Sequence, residues 1–251
     1  VGGLNNRSNV LEMNQCSDVL NMSFTNDAVM ERRRGTMMHS SFITSGAITF
    51  IDEFKPYTEP NEFIRATDEV MYVGNQEART LAGRMVGTNY NGRYFFTDGS
   101  GLYVYGKFPS ATTTYVQTVG VVPTSNTILK VVSPSSSYTP LDTTHTEGVT
   151  VYDYTAGEVW YEPCENEAVD PYKQSNVITD NPRYIAVKGG RLFISGDAKD
   201  DDNIFISDVA NPYYFPVSLP IQLPPNSDKI TGLHTFENTI VVGRTHDLHI
   251  I

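Results

Sequence analysis

The chain has 251 residues, a formal net charge of −11, 39% hydrophobic residues and 19% charged ones. That apolar content supports a substantial core in one large domain or two small ones, and the acidity works against tight, sequence-independent nucleic-acid binding, which needs Lys and Arg against phosphates. No apolar run approaches the roughly 18 residues of a membrane-spanning helix, and a composition with 15 Tyr, 12 Phe and abundant Thr, Val, Asn and Gly is that of a β protein.

Residues 1–35 are polar and carry no repeat. No charged segment followed by an apolar one opens the chain, and Val1 in place of Met leads us to expect a start further upstream. The stretch Asn14–Met22 could form a helical turn or two at most. Cys16 and Cys164 belong to no CxxC pair and read as free thiols, although a disulfide is geometrically open. Arg32-Arg33-Arg34 is the only basic cluster. It is either a solvated strand edge, where charge blocks aggregation, or a grip on an acidic protein partner, since guanidinium forks match carboxylates. Ordering such an arm costs roughly 1–2 kcal/mol per residue. Apolar contacts from Leu4, Leu11, Val19, Leu20 and Phe24 to a neighbouring subunit would offset that cost. Leu20, Phe24 and Arg32, Arg33 and Arg34 are therefore the candidate interaction residues.

Beyond residue 35 one unit recurs: an apolar strand, a Gly- or Asn-containing turn, and a second apolar strand. The turns fall at Gly46, Gly92, Gly148, Gly190 and Asn238, with spacings of 46, 56, 42 and 48 residues. Four-stranded propeller blades repeat at roughly 40–50 residues. A second hairpin follows most units, at Asp98–Gly101, Thr155–Gly157 and Arg244–Asp247, where Gly supplies positive φ and Asp or Asn closes the turn. The acidic stretch Asp197, Asp200, Asp201, Asp202 occupies the same place in its own unit. It reads as an elongated, solvated hairpin tip, with a calcium loop as the sharper alternative. Ser133–Pro140 reads as a loop, and Pro212, Pro216, Pro220, Pro224 and Pro225 punctuate the approach to Ile230. The fifth unit is cut short at Ile251, so the array is expected to be completed beyond it or from elsewhere.

Catalytic signatures are weak. No G-x-S-x-G elbow occurs. His246 and His249 would point to opposite faces of a strand, and His39, His145 and His234 fall into no ligand pattern. Glycoside hydrolysis would need two facing carboxylates, for which Asp52, Glu53, Asp68, Glu69, Asp153, Glu158 and Glu162 are the candidates. Gly99-Ser100-Gly101 sits between strands with no helix after it, so it is not a phosphate loop. No metal or cofactor is expected.

Three segments carry a resemblance. The first is Gly2-Gly3-Leu4-Asn5, then Cys16-Ser17-Asp18-Val19-Leu20-Asn21-Met22, then Glu31-Arg32-Arg33-Arg34-Gly35, in which Arg34 stands where a proline is usual. The second is Gly190–Gly196 (GRLFISG) followed by Ser207–Pro216 (SDVANPYYFP). The third is Lys229–Leu233 (KITGL). In this order they resemble virion proteins of tailed bacteriophages, the β-propeller components of tail nozzles and necks; residues 100–180 match only in pattern. The resemblance implies a structural protein without catalysis. It would form a homo-oligomeric ring around the DNA exit channel, against an adaptor or connector, with genomic DNA passing unbound. An acidic lumen that repels phosphates suits such a conduit.

The expected fold is thus all-β: a propeller-like array of four-stranded antiparallel blades over residues 36–251, incomplete at its C-terminal end, preceded by an extended arm over 1–35. The expected role is a structural ring in the tail or neck of a virion, made in the host cytoplasm, with no membrane insertion. A sugar- or receptor-binding propeller is the alternative, its tyrosines stacking on sugar rings, and a glycoside hydrolase the third.

Overall fold

The computed structural model describes residues 22–24, 30–32, 46–110, 113, 115–133, 148–163, 176, 178–224, 228–237 and 239–251. Among these every regular element is a strand and none is a helix. The chain divides into two compact units, Val1–Ile43 and Thr44–Ile251. In the first, β1 (Met22–Phe24) and β2 (Met30–Arg32) pair antiparallel, with Met22 opposite Arg32 and Phe24 opposite Met30. The segment read from sequence as an extended arm therefore contains a β-hairpin.

The second unit begins with an antiparallel meander of β3 (Phe50–Phe54), β4 (Glu62–Ala66), β5 (Val70–Val73) and β6 (Gln76–Thr80). A seven-stranded sheet follows, built from β7 (Val86–Tyr90), β8 (Arg93–Thr97), β9 (Leu102–Gly106), β10 (Val116–Val119), β11 (Thr127–Val131), β12 (Val149–Asp153) and β13 (Glu158–Glu162), in the spatial order β10-β12-β13-β11-β9-β8-β7. A third sheet holds β14 (Tyr184–Lys188), β15 (Arg191–Ser195), β16 (Asn203–Ile206) and the two-residue β17 (Ile221–Gln222). The last holds β18 (Ile230–Phe236), β19 (Thr239–Arg244) and β20 (Leu248–Ile250).

These strands are apolar on both faces because their sheets are covered on both faces. Successive residues of a strand point to opposite sides. In β8 and β9, Tyr94, Phe96, Tyr103 and Tyr105 enter a core with Phe54, Ile64 and Met71 of the first sheet. The intervening Phe95, Leu102 and Val104 enter a core with Ile185, Leu192 and Ile194 of the third. The third sheet repeats the arrangement: Phe205 joins that core, while Phe193, Ile204 and Ile206 pack with Leu233, Ile240 and Val242 of the fourth. Burying each of these large side chains contributes about 1.5–3 kcal/mol. Polar ties cross the same interfaces. The Tyr94 hydroxyl donates to Asp52 Oδ2 at 2.8 Å and the Tyr105 hydroxyl to Glu62 Oε2 at 2.5 Å. Burial, and then the facing carboxylate, push both phenols well above their ordinary range.

The first strand of one sheet lies beside the first strand of the next. β3 contacts β7, β7 contacts β14, and β14 contacts β18. Two of the first hairpins close alike, with positive φ at both turn residues: Asn91 (48°) and Gly92 (69°), Gly189 (57°) and Gly190 (70°). That is the geometry of the two-residue turns whose twist matches antiparallel strands.

Two sequence expectations need correction. Gly46 and Gly148 are not equivalent to Gly92 and Gly190, because each precedes the first strand of its segment instead of joining two strands. At Gly148 the glycine answers to space: a Cβ there would collide with the Tyr161 hydroxyl. Asn238, the fifth expected turn, lies outside the described residues. The sheets are also not uniformly four-stranded and antiparallel. β10 pairs parallel with β12, and β11 pairs parallel with β13. The outer edge of β11 would otherwise leave backbone groups unpaired. The amides of Lys130 and Val132 instead donate to the carbonyls of Gly157 and Val159 at 2.9 and 3.0 Å. The β12–β13 hairpin thereby extends the second sheet outward instead of founding a sheet of its own.

Candidate functional site

The acidic loop between β15 and β16 is a set of ties, not a free tip. Asp197 is buried. It accepts from the Thr179 hydroxyl at 2.6 Å, from the Asn181 amide at 3.1 Å and from the Lys199 amide at 2.9 Å. Burial alone would raise its carboxyl, but these three donors outweigh burial and hold it below the usual carboxylate range. Asp200 accepts from the Asn203 side-chain amide at 2.6 Å, and Asp201 lies 3.9 Å from the Lys229 ammonium. Asp202 pairs with Arg244 of the fourth sheet, whose guanidinium also donates to the carbonyls of Asp228 and Pro224 at 2.9 and 2.8 Å. The expectation of a solvated loop tip is therefore corrected at Asp197 and Asp202. Among the described residues no group of three or more His, Cys, Asp or Glu is arranged to hold a metal ion.

The segment Ser207–Pro216 folds into a corner between the second and third sheets, exposed at Val209 and Ala210 and buried from Pro212 to Pro216. The Ser207 hydroxyl accepts from the Leu192 amide at 2.9 Å, and Ala210, at φ 58°, donates its amide to the Gly190 carbonyl. The Asn176 side chain bridges two backbone groups of the corner, donating to Tyr213 O at 2.8 Å and accepting from Phe215 N at 2.9 Å. Tyr213 is buried beside Arg93, which donates to the hydroxyls of Tyr213 at 2.6 Å and Tyr152 at 3.3 Å. The guanidinium carbon of Arg93 lies 5.1, 5.7 and 5.9 Å from the ring centres of Phe108, Tyr152 and Tyr213. Cation–π attraction and two phenol acceptors thus satisfy a largely enclosed charge.

Where the first strands of the second, third and fourth sheets approach one another they leave a cleft of about 560 Å³. Arg84 stands just ahead of β7, and Arg183 just ahead of β14. Both are exposed and both line the cleft, with Val86, Tyr184 and Leu233 as its apolar wall. Thr231 also lines it, at the register shift between Ile230 and Gly232, where a β-bulge re-aims the backbone. The carboxylate in the lining belongs to Asp98, which is buried. Its Oδ1 accepts from the Ser100 amide and hydroxyl at 2.9 and 2.7 Å, and its Oδ2 from the Ala82 amide at 3.2 Å. Sequence reasoning missed this cleft. A signal was present: a basic residue stands immediately before or two before the first strand of three successive sheets, at Arg84, Arg183 and Lys229.

The residues singled out from sequence lie elsewhere. Phe24 and Arg32 fall at strand positions of the first unit's hairpin, opposite Met30 and Met22. Leu20, Arg33, Arg34, Cys16, Cys164, His39 and His145 lie outside the described residues, as does most of Ser133–Pro140. The candidate glycosidase carboxylates are dispersed. Asp52 and Glu53 lie on β3, Asp68 and Glu69 in the β4–β5 turn, and Asp153, Glu158 and Glu162 on the β12–β13 hairpin. Asp153 and Glu158 are register partners, but Asp153 Oδ1 is occupied by the amides of Thr155 and Ala156, both at 2.9 Å. His246 sits in the β19–β20 turn, 2.6 Å from Asp228 Oδ1, and His249 lies opposite Val242.

No family model and no curated protein matches the sequence. Among solved structures, the crystal structure of the computationally designed Ika4 protein is similar at 11% identity, over 87% of this chain and 98% of that one, with a TM-score of 0.41.

Proposed function

We propose that the chain is a structural virion protein of a tailed bacteriophage, its sheets the blades of a propeller, forming a homo-oligomeric ring in the tail nozzle or neck around the DNA exit channel. The observation that carries the reading is the seating of the Ser207–Pro216 signature. Tyr213, Tyr214 and Phe215 are all buried and Asn176 fastens their backbone. One of the segments that carry the resemblance is thus a packing corner, which suits a structural protein. The face-to-face stacking of successive sheets and the contacts between first strands support the propeller reading. An interior closed by aromatic contacts and inter-sheet carboxylate–phenol bonds suits a load-bearing part, and the −11 charge suits a conduit that leaves DNA unbound.

A sugar- or receptor-binding propeller is the second reading. It is favoured by a polar cleft of about 500 Å³ between the first and second sheets, lined by Glu62, Gln76, Glu77, Arg79 and Asn126. Against it, Tyr72, Tyr94, Tyr103, Tyr152 and Tyr213 are buried and unavailable for stacking; Tyr105 lines this cleft but is itself largely buried, and the exposed Tyr57 and Tyr115 lie outside its lining.

Negative-stain imaging and mass photometry of the full chain separate the two. The virion reading expects rings with a central channel. Changing Arg32, Arg33 and Arg34 together to Glu should disperse them if that cluster grips an acidic neighbour. A persistent monomer that binds on a glycan array would overturn the ring and favour the second reading.

A further inference from the structure

We infer that the cleft beside Arg84 and Arg183 is a binding site for the phosphate group of a small phosphate ester with an apolar or planar body. This does not rest on the virion reading.

Neither guanidinium makes an ion pair or a side-chain hydrogen bond with any described residue. Elsewhere in the same unit arginines are committed: Arg244 to Asp202 and two carbonyls, Arg191 to Asp208 and the Ser207 carbonyl, Arg93 to two tyrosines. Lys229, at the corresponding position ahead of β18, has Asp201 beside it. In a chain of net charge −11, carboxylates are plentiful, yet the one in the lining has both oxygens taken by Ser100 and Ala82. Two arginines whose forks have no partner among the described residues therefore line one cleft.

The chemistry of the forks selects the ligand class. One bidentate arginine takes up the open edge of a carboxylate, with one lone pair on each oxygen left over, whereas a phosphate, with three or more oxygens and up to two charges, presents a separate edge to each of two arginines. The cleft, at about 560 Å³, is far larger than one phosphate group. Its remaining wall is Val86, Leu233 and the ring of Tyr184, a surface for an apolar or flat body. The bulged Thr231 adds a hydroxyl at the rim. Gly99 lies under Arg183, where a Cβ would stand 3.7 Å from its Cγ, so bare backbone forms part of the floor.

Calorimetric titration of the full chain with phenyl phosphate, inorganic phosphate and benzoate tests this. Phenyl phosphate should bind more tightly than inorganic phosphate and at least about tenfold more tightly than benzoate, as expected when charge-assisted hydrogen bonds decide. Arg84→Gln and Arg183→Gln should each weaken it by about tenfold or more. Lys107→Gln, which removes an exposed partner of Glu59 and lies outside the cleft's lining, should leave it unchanged. Both arginines are exposed, so circular dichroism and melting of the variants should match the parent. Three results would each overturn the site: no saturable binding of phenyl phosphate below about 10 mM, binding indifferent to both substitutions, or benzoate binding as well as phenyl phosphate. Because ring formation is read by microscopy and phosphate binding by titration, either proposal can fail while the other stands.

Discussion

Asp202 accepts a hydrogen bond from Arg244 across the gap between the third and fourth sheets. The Arg244 side chain is fully buried, while that of Asp202 keeps 25% of its surface exposed. Removing the carboxylate leaves an enclosed guanidinium with two backbone carbonyls as its acceptors among the described residues. Asp202→Ala should therefore destabilise the chain by about 3 kcal/mol in urea denaturation, near the lower end for breaking a buried pair because Asp202 is partly hydrated. Asp202→Asn, which retains an acceptor, should cost clearly less. A loss under about 1 kcal/mol for Asp202→Ala would mean that water replaces the carboxylate.

The hairpin turns give a second expectation. Gly92 and Gly190 occupy left-handed backbone at φ 69° and 70°. Alanine there should cost about 1–2 kcal/mol each, the penalty a Cβ meets in that region. Gly92→Ala should cost the more, because its Cβ would also stand 2.6 Å from the Tyr57 ring, whereas at Gly190 the nearest atom is a Val209 methyl at 3.8 Å. Thermal melting of the two variants checks the order.

Much of this was legible in the sequence because it was local. Asn91-Gly92 and Gly189-Gly190 between apolar runs can close only as tight hairpins, and strands such as Arg93–Thr97 and Arg191–Ser195, apolar at consecutive positions, announce sheets covered on both sides. The parallel seam between β11 and β13 was not legible, because which edge a strand fills depends on what lies beside it in space. Three of the four aspartates of the β15–β16 loop misled for the same reason: Thr179, Lys229 and Arg244, which hold Asp197, Asp201 and Asp202, are distant in sequence. One signal was readable and missed. In β19 the buried positions are Ile240, Val242 and Arg244, so an arginine continues the inward-facing register and needs an acceptor. The arginines of the cleft followed a similar rule, recurring ahead of first strands at Arg84 and Arg183.

His246 offers a spectroscopic handle on the turn that follows Arg244. The hydrogen bond to Asp228, and the charge of that carboxylate, raise its imidazole above the usual 6.5. Proton NMR should show the His246 ring titrating above the free value, and Asp228→Asn should return it toward that value. Because the folded value is the raised one, the ring's contribution to stability is present below pH 6.5 and fades as pH rises through the folded pKa. A titration unchanged by Asp228→Asn would show that the contact does not form in solution.

Asp197 has the opposite sign. Its folded pKa is depressed below 3.8, since the donors Thr179, Lys199 and Asn181 outweigh its burial. The stabilisation it supplies is therefore complete above the unfolded value and is lost as pH falls through 3.8 toward the folded one. Asp197→Asn should lower the melting temperature at neutral pH, because an amide accepts the three bonds less well and brings donors of its own to a site already full of them. The deficit should shrink below 3.8, where the parent loses its advantage. Because the Asp197 oxygens are already occupied by protein donors and Asp202 is held by Arg244, chelation with EDTA should leave the melting temperature of the parent unchanged. An EDTA-sensitive transition abolished by Asp200→Ala with Asp202→Ala would instead make this loop a calcium site. In that case the acid-dependent loss would belong to ion release, and the deficit of Asp197→Asn would persist at every pH at which the ion is bound.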